Sequence, residues 1–132
     1  MYSSPWGSDM DSFCILFRKA PYGTIGAAEG LRHLIAAAGM MAARAILLDD
    51  GVYLAKRGQE PGDSGWVNLS QTLEKALTDC RADPSCQLHV YVHEGSLKER
   101  NLDPAVLVSG VELADDDQVA TVIAEARRML IF

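Results

Sequence analysis

Phe13-Cys-Ile-Leu-Phe17 is an uninterrupted apolar run of strand length. A strand covered by helices on both faces needs no polar alternation, and parallel sheets produce runs of this kind. Ahead of it, Met1 to Asp11 is rich in turn formers and lacks a period, so residues 1–11 read as a loose leader and 12–132 as the folded domain. Behind it, Arg18-Lys-Ala-Pro-Tyr-Gly23 is a turn-rich loop, and Thr24 stands where an N-cap belongs. Ile25, Ala28, Leu31, Leu34 or Ile35, and Ala38 then recur at helical spacing, while Glu29, Arg32 and His33 share the opposite face. Gly26 and Gly30 each cost this helix about 1 kcal/mol relative to Ala, which implies a close neighbour. Gly39 fits the position just beyond the helix end.

Ala45-Ile-Leu-Leu48 reads as a second strand, with Asp49-Asp50 at its carboxyl end. Gly51-Val-Tyr-Leu-Ala55 is strand-like too, either a short strand or the start of a crossover, and residues 56–65 form a surface loop. Leu69, Leu73, Ala76 and Leu77 share one face of a helix from about Asn68 to Asp79, which Ala82-Asp-Pro84 ends. In Gln87 to His93, Leu88, Val90 and Val92 face one way and His89, Tyr91 and His93 the other. Ser96 to Asn101 suggests a short helical turn, and Val106-Leu-Val108 another strand-like piece. A last helix begins near Ala114, with Asp115, Asp116 and Asp117 where the helix dipole favours negative charge and Arg127 and Arg128 at its other end. Met129-Leu-Ile-Phe132 closes the chain as a strand. This alternation predicts a single three-layer α/β domain with a mainly parallel sheet flanked by helices.

Composition narrows the function classes. With 132 residues, 48% of them apolar, the chain suits one core. Twelve Lys and Arg against eighteen Asp and Glu leave a net charge of -6, so direct nucleic-acid binding is not expected. The start of the chain lacks the basic and apolar regions of a secretory signal. The apolar stretch Leu34 to Leu48 is broken by Arg44 and falls short of the roughly 20 residues that span a bilayer. A cytoplasmic protein with no membrane partner is the expectation. Three irregularly spaced cysteines make no disulfide framework, and no zinc spacing occurs, so neither a metal nor another cofactor is expected. Cys14 reads as a small core residue. Cys80 and Cys86 flank the turn Arg81-Ala-Asp-Pro-Ser85 and are candidate exposed thiols, with Arg81 placed to favour a thiolate.

In an open α/β sheet the ligand crevice lies at the carboxyl ends of the strands. Four segments are candidates there: the loop containing Pro21, Tyr22, Gly23 and Thr24; Asp49-Asp50; His93 to Ser96; and Ser109-Gly110. The first resembles a helix N-terminus prepared for an anion, so a small-anion or nucleotide binder is one reading, although no GxxxxGK[ST] or GxGxxG is present. Asp49-Asp-Gly51 is more simply a turn. His89 and His93 lie about 13 Å apart on an extended strand and cannot share a metal. Their face, with Tyr91, is a candidate subunit contact. Ser96 has His93 three residues upstream, but no G-x-S-x-G surrounds it and no orienting carboxylate is identifiable.

Several segments together resemble the DsrE/DsrF-like sulfur relay family, in particular its TusC/DsrF-type subunits. They are Phe17-Arg-Lys-Ala-Pro-Tyr-Gly-Thr24, Glu29-Gly-Leu31, Asp50-Gly-Val-Tyr53, Gly58-Gln-Glu-Pro61, Ser96-Leu-Lys-Glu-Arg-Asn-Leu-Asp103 and the closing strand. The resemblance implies a small α/β subunit that assembles with itself or with related subunits and passes persulfide sulfur toward tRNA 2-thiolation or in sulfur oxidation. Such transfer needs a cysteine thiolate. The family's cysteine position falls on Val92 or His93 here, and neither side chain can carry a persulfide. The expectation is therefore a non-catalytic or accessory subunit without independent activity. The alternative is a self-sufficient sulfurtransferase using Cys80 or Cys86, although Cys86 lies about 20 Å from that strand end.

Overall fold

The computed structural model describes residues 12–22, 25–59 and 68–132. The leader 1–11, the proposed N-cap Thr24 with Gly23, and the loop residues 60–67 lie outside the described residues.

The apolar run that opens the domain becomes β1 (Ser12–Phe17), and α1 (Gly26–Ala38) leads from it to β2 (Ala42–Leu47). A 3₁₀ segment, Asp49–Ala55, precedes α2 (Leu69–Arg81), which returns to β3 (Leu88–His93). The short α3 (Glu94–Glu99) and a 3₁₀ turn, Pro104–Val106, lead to β4 (Glu112–Ala114), then α4 (Asp116–Glu125) and β5 (Arg128–Ile131). The five strands form one all-parallel sheet in the order β4-β3-β2-β1-β5. The three-layer α/β domain read from the sequence is the fold observed.

Strand alternation divides the core into two layers. Ile15 and Phe17, Ala43, Ala45 and Leu47, and Val90 and Val92 meet Leu31 and Leu34 of α1 and Leu69, Leu73 and Leu77 of α2. On the other face Cys14, Leu16, Ala42 and Ile46 pack against Val119 and Val122 of α4. The helix α4 has to change face because it joins β4 at one edge of the sheet to β5 at the other.

Local chemistry sets the ends of these elements. Asn68 caps α2 by accepting the Gln71 amide at 3.2 Å, and Asp115 and Gln118 form a reciprocal capping box on α4. Ile25 occupies the N-cap of α1 and offers no side-chain hydrogen bond, whereas Gly39 ends that helix at φ -79° without needing a left-handed turn. Gly30 is required sterically: a Cβ there would stand 2.5 Å from the Phe17 ring and 3.0 Å from that of Phe132.

Of the two strand-like runs, Gly51 to Ala55 is the start of the crossover from β2 to α2, and Val106 to Val108 is not a strand. Gly51 to Ala55 is part of the 3₁₀ segment, and Val52, Leu54 and Ala55 are apolar because they plug the core beside the sheet. Asp49, at a left-handed φ of 51°, turns the chain out of β2, and the Gly51 amide donates to the Leu48 carbonyl at 2.8 Å. Val106 to Val108 makes only a single antiparallel bridge, Lys56 to Leu107, with the Val108 amide on the Ala55 carbonyl at 2.8 Å. Pro104 inside the 3₁₀ turn, capped by Asp103, keeps this stretch out of the ladder. The true fourth strand is the three-residue β4, which carries no apolar run.

Gly51 passes so close to β1 that a Cβ would lie 1.8 Å from the Phe17 carbonyl oxygen. Gly51→Ala is expected to destabilise the fold by about 3 kcal/mol or more in urea unfolding, because backbone has to move. At Gly39 the nearest atom to a new Cβ is 3.8 Å away. Gly39→Ala in the same assay is expected to leave stability unchanged or raise it by up to about 1 kcal/mol.

Candidate functional site at the carboxyl edge of the sheet

The carboxyl ends of β1, β2, β3 and β4 bring together Arg18, Asp49, Asp50, His93, Ser96, Arg100 and Asp116. His93 is both the last residue of β3 and the N-cap of α3. Its Nδ1 accepts the Ser96 amide at 3.2 Å and lies 2.8 Å from Ser96 Oγ, while its Nε2 lies 2.5 Å from Asp116 Oδ1. The amide is an obligate donor, so the proton of a neutral imidazole belongs on Nε2, facing Asp116. The Ser96 hydroxyl donates to His93 and accepts the Asp49 amide at 2.9 Å.

This is a serine, a histidine and a carboxylate in series, and Asp116 is the orienting carboxylate that the sequence did not reveal. The arrangement is nevertheless a latch. Ser96 is 2% exposed, and its oxygen already accepts the Asp49 amide, so no electrophile can reach it. The network joins the end of β2 to the β3–α3 corner and then to the first turn of α4.

Two ion pairs flank the latch. Arg18 Nε stands 3.3 Å from Asp49 Oδ2, and Arg100 Nε donates to Asp50 Oδ1 at 3.0 Å. That hydrogen bond raises the Arg100 pKa above its ordinary value, and Arg100 Nη1 also donates to the Ser96 carbonyl at 3.2 Å. Asp49 and Asp50 thus serve as partners of arginines around a turn. Beside them lies an open cleft of about 680 Å³ lined by Arg18, Lys19, Ile25, Gly26, Ile131 and Phe132. Pro21 is buried, and Tyr22 is directed to the start of α2, where its hydroxyl accepts the Leu69 amide at 3.1 Å.

Other candidates lie elsewhere. Ser109-Gly110 precedes β4 instead of following a strand, so it sits at the amino end of the sheet, with Gly110 against Arg81. His89 pairs with Glu112 at 2.9 Å and stacks on Tyr91, whose hydroxyl accepts from Arg44 at 2.9 Å. His89 and His93 are in separate clusters, and among the described residues no group of three or more His, Cys, Asp or Glu is placed to hold a metal.

Neither Val92 nor His93, at the end of β3, opens a reactive site. Val92 is wholly buried in the core, and His93 is committed to Ser96 and Asp116. Cys80 and Cys86 are not free thiols: they form a disulfide, with Cα atoms 5.3 Å apart, at the amino end of β3. The turn between them brings the two sulfurs into bonding contact, so the exposed thiols that the sequence suggests are one disulfide. Cys14 is free and fully buried, and burial pushes its thiol up to about 12 against the opposing charge of Arg44.

Ser96→Ala strands the part-buried Asp49 amide and is expected to cost about 1–3 kcal/mol in urea unfolding. The Cys14 thiol gives a pH signature. Between the ordinary value of 9.0 and about 12, the unfolded chain loses this proton while the folded chain keeps it. Stability therefore falls as pH rises above 9, with a limiting slope of about 1.4 kcal/mol per pH unit. Comparing urea midpoints between pH 8 and roughly 10.5, Cys14→Val is expected to show a shallower decline than the unaltered chain.

Residues 11–132 match the model of the DsrE/DsrF-like family. The intracellular sulfur oxidation protein DsrF of Allochromatium vinosum is 41% identical over 106 residues, covering 80% of this chain and 71% of that protein. A TusC homolog of Vibrio parahaemolyticus is 32% identical over 124 residues, covering 93% and 100%. Among solved structures, the ychN protein from E. coli superposes with a TM-score of 0.78 at 27% identity, over 93% of this chain and all of that one. The MTH1491 protein from Methanobacterium thermoautotrophicum shares the fold at 12% identity, with a TM-score of 0.59 over 94% of this chain and all of that one. No helix among the described residues is long and apolar enough to cross a membrane. With the family match running from the residue before β1 to the end of the chain, and with the sheet order and the strand-end segments in place, this protein belongs to the DsrE/DsrF-like family.

Proposed function

We propose that the chain is a non-catalytic, accessory subunit of a sulfur relay complex that passes persulfide sulfur for tRNA 2-thiolation or sulfur oxidation. One observation carries this reading: no thiol stands at the carboxyl end of β3. A persulfide must be held on a cysteine sulfur. The three cysteines are a sealed core thiol and a bonded pair at the opposite end of the same strand. The names of the relatives, a sulfur oxidation protein and a TusC homolog, agree with a sulfur-handling context. The competing reading, an autonomous sulfurtransferase using Cys80 or Cys86, would place the acceptor sulfur at the opposite end of β3 from the carboxyl edge.

Assembly with copies of itself or related subunits has support in the edges of the sheet. Strand β5 is exposed along its whole length, and after the charged Arg128 at its start it presents only the apolar Met129, Leu130 and Ile131. Isolated proteins usually blunt such an edge. Leu113 on the other edge strand is also exposed, beside the half-exposed pair of His89 and Glu112. His89 and Tyr91 remain the residues proposed to meet a neighbouring subunit on that side.

Two measurements test the reading. Size exclusion with light scattering is expected to show an oligomer or a complex with co-expressed related subunits; a strict monomer that retains no such subunit counts against it. Incubation with a persulfide donor followed by intact mass is expected to leave no sulfane sulfur on the chain. Stoichiometric retained sulfur would overturn it.

A further inference from the structure

The Cys80–Cys86 pair lies outside the carboxyl-edge site and has no part in the accessory role. We propose that it is a reversible thiol–disulfide exchange site for low-molecular-weight monothiols of the glutathione class.

Three features of its surroundings carry this. Both cysteines are partly exposed, and both line two separate clefts, one of about 210 Å³ and one of about 350 Å³. A thiolate therefore has a line of approach to the sulfurs without unfolding. The smaller cleft contains Asp79 and Asp83, which repel an anionic nucleophile, whereas the larger contains Arg81 and His89 beside Glu112. The larger cleft is the entry.

The turn also holds its shape without the covalent bond. The Asp83 amide donates to the Cys80 carbonyl at 3.1 Å, and the Cys86 amide to the Asp83 carbonyl at 3.0 Å. Asp83 Oδ1 accepts both the amide and the hydroxyl of Ser85, at 2.9 and 2.7 Å. Beyond Cys86, the Gln87 carbonyl accepts the Ala43 amide at 2.9 Å, which fixes the start of β3 to β2. Once opened, the two thiols stay neighbours, and closure is intramolecular. The remaining cysteine cannot scramble the pair, because Cys14 is sealed in the core.

The step is a two-electron exchange. A thiolate attacks one sulfur, the bond between Cys80 and Cys86 breaks, and the other sulfur leaves as a thiolate that takes a proton from water. A second monothiol attacks the mixed disulfide. The products are the Cys80 and Cys86 dithiol and one oxidised dimer of the small thiol, so the two electrons come from the two monothiols. The reverse sequence closes the bond.

The test equilibrates the full chain with defined ratios of reduced and oxidised glutathione, followed by acid quench, alkylation and peptide mass mapping. The expected result is that Cys80 and Cys86 become alkylated together as the ratio turns reducing and are protected again when it is reversed, with Cys14 unlabelled throughout. At oxidising ratios Cys86→Ser is expected to take one glutathione from oxidised glutathione onto Cys80 and hold it as a mixed disulfide, releasing one reduced glutathione, since the resolving thiol is gone. Arg81→Ala is expected to slow opening by about threefold at low salt, through loss of attraction in the larger cleft. A pair that ignores millimolar glutathione until urea unfolds the chain would overturn the proposal, as would a pair that never closes under oxidised glutathione. Failure of Cys86→Ser to hold the adduct would sink it as well. None of these readings depends on whether the chain joins a relay complex, so a monomeric protein with an exchanging disulfide would separate the two conclusions.

Discussion

The buried hydroxyl of Ser96 is the point on which the carboxyl edge turns. It accepts the amide of Asp49, which a left-handed backbone has swung out of β2, and donates to the imidazole that ends β3. A buried amide left without a partner is costly, so the hydroxyl holds two strand ends at a set separation. Gly51 makes the arrangement possible by letting the following backbone lie directly against the Phe17 carbonyl. Imidazole, hydroxyl and carboxylate are thereby used to fasten elements together, and the edge is rigid at the place where α/β sheets commonly carry out chemistry.

That use has a functional consequence. A group already satisfied on both sides has no capacity left for a substrate, and the side chains on either side of the β3 end are a core valine and a fully engaged histidine. The sulfur chemistry of the chain is displaced to the other end of the sheet. There Cys80 and Cys86 face solvent clefts at the α2–β3 turn, the larger of them bordered by Glu112 of the edge strand β4. The two halves of the molecule are suited to different tasks, one to shape and one to redox exchange.

How much of this was legible in the residues differs between elements. The helices α1 and α2 and the strands β1 and β3 follow from periodicity, since each buries a defined face and the pattern records it. Gly51 to Ala55 stayed open between strand and crossover, and Val106 to Val108 misled, because a short apolar run reports burial and not hydrogen-bonding partners. Val52, Leu54, Ala55, Leu107 and Val108 plug the core beside the sheet. Strand β4 went unseen for the opposite reason: three residues at an edge, Glu112 to Ala114, need no apolar pattern to pair with β3. Missing it also misplaced Ser109-Gly110 and hid Asp116, whose position at the carboxyl edge depends on β4 ending at Ala114.

The sequence by itself determined the layered parallel fold, the buried character of Cys14 and the lack of a thiol at the end of β3, because burial, periodicity and residue identity are local properties of the chain. Only the tertiary structure decided that Cys80 and Cys86 are joined, that Asp116 completes a series with His93 and Ser96, and that the Ser96 hydroxyl is sealed from substrate. Each of those depends on distances that a turn or a crossover sets or on the solvent access left after packing. Such quantities come from the geometry of crossovers and turns, and no run of residue types encodes them directly.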